Sequence, residues 1–104
     1  MIAYKDGVAG DLHPAMRRVL RCAESIWSAY GQDLVVTATR DGEHGQWSWH
    51  QFGCAVDLRT RYFSAGEVAS IAQDMREALG RDYDVVVEQT HMHVEYDWDR
   101  THAG

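Results

Sequence analysis

Two stretches of this sequence carry apolar residues at helical spacing, each with its own start and stop signals, and short β-branched runs lie between and after them. In the first, Met16, Val19, Leu20, Ala23, Ile26, Trp27 and Tyr30 mark one face, with Pro14 suited to the opening turn and Gly31 to the end. In the second, Ser64 and Glu67 form a capping box ahead of Val68, Ile71, Ala72, Met75 and Leu79, and Gly80 closes the segment. A helix striped on one side must bury that stripe, and the partners this chain offers are the other helix and the short strands.

The strands follow from alternation. Leu34 to Thr39 is an apolar, β-branched run that reads as buried, and the polar segment from Arg40 to Gln46 after it reads as a surface loop. Residues 54 to 59 form a second strand in which Ala55, Asp57 and Arg59 share one face while Cys54, Val56 and Leu58 take the other. Val85 to Glu88 and His91 to Tyr96 are joined by Gln89-Thr90, which predicts an antiparallel hairpin. Alternation then sets His91, His93 and Glu95 on one face and Met92, Val94 and Tyr96 on the core face. A two-residue loop brings Glu88 opposite His91, with Cβ atoms roughly 4.5 to 5.5 Å apart. Glu95 shares that face and could orient a ligand, though exposure to solvent is the expected reading. The expected fold is α+β: a small antiparallel sheet with two helices packed on one of its faces.

At 104 residues the chain is expected to be one domain, spanning 1–104, with residues 97–104 a frayed tail. Ten Lys and Arg against sixteen Asp and Glu give a net charge of −6, which argues against nucleic acid as a partner. No run approaches the roughly 18 to 20 apolar residues that span a membrane, and the start, Met1 to Asp6, lacks the blocks of a signal peptide. The expectation is therefore a monomer made in the cytoplasm without a membrane partner. The two cysteines, Cys22 and Cys54, read as buried free thiols. Cys54 is three residues from Asp57 and so on the opposite strand face, which argues against a thiolate ligand beside it.

Three of the six histidines, His50, His91 and His93, stand in two segments that also hold Asp57, whereas His13, His44 and His102 lie elsewhere. Imidazole nitrogen and carboxylate oxygen are zinc ligands, and a catalytic zinc takes three protein ligands and leaves one position for water. His50, Asp57 and one histidine of the pair supply that set. Such a unit keeps one net positive charge, enough to acidify bound water toward neutrality. A structural zinc site is disfavoured, because those sites close four ligands, often thiolates.

The pattern Ser-x-His-x-x-Gly-x-Ala-x-Asp, here Ser48 to Asp57, with the later His91-Met92-His93, resembles the zinc D-Ala-D-Ala carboxypeptidase and L-Ala-D-Glu endopeptidase family. That family cuts peptidoglycan stem peptides and shares its fold with the hedgehog signalling domain. The resemblance implies one zinc ion in a cleft on the sheet face away from the helices, held by His50, Asp57 and His93, with His91 beside it stabilising the reacting oxygen. It also implies that Arg40, at the end of Thr37-Ala38-Thr39-Arg40, binds a substrate carbonyl or carboxylate; a surface ion pair with Asp41 or Glu43 is the other reading. The implied setting is a bacteriophage endolysin or tail-associated lysin acting on the bacterial wall.

Glu88 is the candidate general base, by its spacing from both histidines, with His91 as the alternative and a solvated hairpin residue as the bland reading. Ser48 lies in no nucleophile elbow and reads as a residue that shapes the substrate loop. Trp47 and Trp49 flank His50 and either wall the substrate cleft or merely pack. The rival function is a non-catalytic zinc-binding recognition module on the same scaffold.

Overall fold

The computed structural model describes residues 2–5, 14–40 and 54–96. Residues 41–53, which include Trp47, Ser48, Trp49 and His50, lie outside the described residues, as do residues 97–104, so the surface-loop and frayed-tail expectations fall there too.

Helix α1, Pro14–Ala29, buries Met16, Val19, Leu20, Ala23 and Trp27, with Ile26 and Tyr30 half-buried beside them. It stops where the sequence punctuation predicts. Gly31 takes φ 76°, its amide donates to the Ser28 carbonyl, and the Gln32 amide donates to that of Trp27. This doubly bonded end satisfies carbonyls the helix would otherwise leave open, and the left-handed φ explains the glycine. Helix α2, Ala65–Leu79, opens on the capping box: the Glu67 amide donates to Ser64 Oγ at 3.1 Å, and the Ser64 amide to Glu67 Oε1 at 2.8 Å. Its buried face is Ile71, Ala72, Met75 and Leu79, and Gly80 ends it at φ 83°.

Five strands form one mixed sheet. They are β1 (Ile2–Tyr4), β2 (Leu34–Arg40), β3 (Cys54–Arg59), β4 (Tyr83–Val87) and β5 (His91–Tyr96), in the order β1-β2-β3-β5-β4. The expected antiparallel sheet is corrected here, since β1 runs parallel to β2, pairing Ile2 with Leu34 and Tyr4 with Val36. Three residues are too few to show alternation, and a parallel partner comes only after a crossover, here through α1, so no local signal marks β1. The other ladders are antiparallel, and β4 and β5 form the hairpin on Gln89-Thr90, with the Glu88 amide donating to the His91 carbonyl at 2.9 Å.

Both helices cover the same face of this sheet. Val36, Val56, Leu58, Met92 and Val94 are each at most 1% exposed and join the helix residues in one core. Two polar contacts tie the layers together. Trp27, itself fully buried, donates Nε1–H to the Arg59 carbonyl at 3.2 Å, and the Tyr83 hydroxyl donates to the Ala15 carbonyl at 3.0 Å. The first anchors the end of β3 to α1, which fixes the backbone beside the polar face. Cys22 is a free thiol but only half-buried, with Sγ 3.8 Å from Met75 Sδ, so the fully buried reading is corrected. Its position on the flank of the helix stripe leaves one side open; burial and Asp74 push its thiol up against the pull of Arg18, the burial being the largest effect.

Candidate metal centre

The face that the helices leave uncovered carries the polar residues of β3 and β5. Because the side-chain period of a strand is two, the alternation that sends Val56, Leu58, Met92 and Val94 into the core sends Asp57, Arg59, His91, His93 and Glu95 the other way. Register then brings them together: Asp57 pairs with His93, Arg59 with His91 and Ala55 with Glu95.

Asp57 divides its two oxygens between two imidazoles. Oδ1 lies 2.8 Å from His93 Nδ1, and Oδ2 lies 3.6 Å from His91 Nε2. His91 Nε2 is also 3.1 Å from Glu88 Oε1, the contact that the tight hairpin predicts. His93 Nε2 is 3.2 Å from Glu95 Oε1. Glu95 keeps a side chain 43% exposed and is at the same time a partner of His93, because its β5 neighbour two positions earlier presents a ring nitrogen to it. Burial alone would lower the pKa of His93, but the hydrogen bonds to Asp57 and Glu95, together with their charges, outweigh it and raise the value above that of an ordinary histidine.

Among the described residues, one group is close enough to hold a metal ion: ligand atoms of Asp57, Glu88 and His91 all lie within 4.8 Å of one another. Two ligands about 2.0 to 2.1 Å from a tetrahedral zinc are themselves roughly 3.3 Å apart, so contacts of 3.1 and 3.6 Å around His91 need only small adjustments. Nitrogen and oxygen donors at partial exposure suit such an ion chemically. His93, the histidine expected as the ligand, sits across Asp57 from this group with Nδ1 turned to the shared carboxylate. His50 lies outside the described residues.

No protein-family model, no curated protein and no solved structure matches this chain. The site therefore rests on its own chemistry.

A bulge in β2 shapes the rim. Val36 pairs with Leu58 but Ala38 pairs with Asp57, leaving Thr37 as the extra residue, whose Oγ1 donates to the Asp57 carbonyl at 3.3 Å. In an unbroken ladder Arg40 would stand opposite Cys54. The bulge moves it opposite Ala55, two residues from Asp57 along the polar face of β3. The same shift sets the small Ala38 against Asp57, leaving a space of about 70 Å³ bounded by Ala38, Thr39, Ala55, Asp57 and His93.

On the other side of Asp57, a larger cavity of about 320 Å³ is bounded by Lys5, Thr37, Asp57, Arg59, Arg61 and His91. Sequence reading placed Arg59 on the face of Asp57 but gave it no role, and Lys5 and Arg61 drew no attention, because nothing in their spacing reveals that three strands bring them together. A third cavity, about 650 Å³, lies between α2 and the hairpin and meets the Asp57–Glu88–His91 group at Glu88.

Proposed function

We propose that this chain is a zinc-dependent hydrolase of peptide bonds in peptidoglycan stem peptides. The observation that carries the reading is the convergence of Asp57, Glu88, His91 and His93 on the one face of the sheet that the helices leave open. A merely solvated face has no reason to hold a carboxylate between two imidazoles, each with a further carboxylate of its own.

Asp57 and His93, with His50, would hold the ion, and Asp57, Glu88 and His91 are the alternative set. A bound zinc supplies a polarised carbonyl and an acidified water. The chain's own residues do the rest. Glu88, held 3.1 Å from His91 Nε2 beside Asp57, takes a proton from water and returns it to the leaving amine. His91, with Glu88 Oε1 3.1 Å from Nε2 and Thr90 Oγ1 3.3 Å from Nδ1, would stabilise the developing oxyanion by turning an N–H from one of these partners to it. Glu95 holds the His93 ring in one orientation, as carboxylates behind metal-bound histidines do. Arg40, at its bulge-set register position, clamps a substrate oxygen, and Ser48 and Trp49 belong to the substrate loop.

Purified peptidoglycan incubated with the zinc-loaded protein and resolved by mass spectrometry tests this. Wild type is expected to release fragments cut within the stem peptide, and Glu88→Gln, which keeps shape but cannot transfer a proton, to slow cleavage by about 100-fold to 10,000-fold. Equal cleavage by Glu88→Gln moves the base to His91. If zinc binds and no stem peptide is cut, the domain is a zinc-binding recognition module.

A further inference from the structure

The 320 Å³ cavity beside Asp57 and His91 has a charge the rest of the protein does not prepare one for. The chain carries a net charge of −6, yet Lys5, Arg59 and Arg61 all line this one space. Their backbones are held in place. The Lys5 amide donates to the Val36 carbonyl at 2.9 Å, the Arg59 carbonyl accepts from Trp27, and the Thr60 amide between the two arginines donates to the Thr90 carbonyl at 3.1 Å. Among the described residues, no carboxylate lies within ion-pair distance of any of the three side chains.

Clustered like charges repel, and with Asp57 the one carboxylate among the residues that line it, this cavity keeps an excess of positive charge that favours an entering anion. The neighbouring site sharpens the point. Asp57, Glu88 and Glu95 would by themselves repel an anionic ligand from the catalytic face, and the cations beside Asp57 offset that repulsion. Guanidinium forks also match the planar geometry of a carboxylate, which takes two parallel N–H donors.

We infer that Lys5, Arg59 and Arg61 form a subsite for a carboxylate group on the peptide substrate. The peptide nature of the ligand rests on the hydrolase reading; the preference for an anion rests on the cavity alone. The subsite is distinct from the position of Arg40, for Arg59 stands opposite His91 and Arg40 opposite Ala55, on either side of Asp57 along β3. The carboxylate it takes is either a chain terminus or an acidic side chain, and the two are separable.

The test is an NMR titration of the purified protein with three probes: acetyl-Ala-Ala-Ala as the free acid, the same peptide as its amide, and acetyl-Ala-Glu-Ala amide. Wild type should bind at least one of the two anionic peptides about tenfold more tightly than the neutral amide, the scale of one charge-assisted hydrogen bond, and which one wins identifies the carboxylate. Arg59→Gln should reduce that preference to less than about twofold. Lys5→Gln and Arg61→Gln alter exposed side chains, should leave the fold intact and should each weaken it, whereas Arg17→Gln on the exposed side of α1 should not. Equal binding of all three peptides, absence of binding by any, or a preference that survives all three subsite substitutions overturns the inference. A protein that keeps the preference but cuts no stem peptide loses the hydrolase reading and keeps the subsite; one that cuts neutral and acidic peptides alike does the reverse.

Discussion

The two faces of the sheet are built from the same strands and share almost nothing else. On β3, Leu58 is fully buried in the core on the helix side, while its neighbour Asp57 turns to the opposite side and meets two histidines. On β5, Met92 and Val94 are fully buried, while His91 and His93 between and before them stay about 30% exposed. The lesson is that one packed face sets the register for both. A slip of a single residue would drive two imidazoles and a carboxylate into the core, so the apolar face fixes the positions of the polar groups without touching them.

Removing packing should therefore hurt far more than removing charge. Leu58→Ala leaves a cavity in the middle of the core and should cost about 2 to 5 kcal/mol in chemical denaturation. Asp57→Asn, one residue away, should change stability of the metal-free protein by less than about 1 kcal/mol, because its partners are partly exposed and the amide retains one acceptor. A similar loss in both variants would mean that the polar face carries structural weight and would break the comparison.

How far this division was legible depends on the length of each signal. The strands Cys54–Arg59 and His91–Tyr96 lie where alternation placed them, and α1 and α2 follow their stripes and caps, because each signal is complete within one element. The hairpin contact between Glu88 and His91 was legible for the same reason: a two-residue loop leaves one register. Strand β4 begins at Tyr83 rather than Val85, since Tyr83 and Asp84 find partners in Tyr96 and Glu95 that local propensity does not foresee. The parallel strand β1, the Thr37 bulge and the meeting of Lys5 with Arg59 and Arg61 are products of long-range pairing, and no window of sequence contains them.

A smaller effect sharpens the comparison from the helical side. The Ser64–Glu67 capping box orients α2 against the core face and stands clear of the polar one. Ser64→Ala should cost about 1 kcal/mol in the same denaturation experiment and leave metal affinity unchanged. A loss of affinity in that variant would show that the two faces are coupled through α2.

The central claim is that the open face of the sheet is a metal site organised by Asp57, and zinc titration calorimetry tests it most directly. Wild type should bind one zinc per chain, and Asp57→Ala should weaken binding at least about 100-fold, since too few donors remain for tight capture. Glu77→Ala, on the exposed side of α2, should bind as wild type does. His93→Ala and His91→Ala then separate the two ligand sets, the one expected from the sequence and the one whose atoms already lie within 4.8 Å. Undiminished zinc binding by Asp57→Ala, or no zinc binding by wild type, would contradict the account.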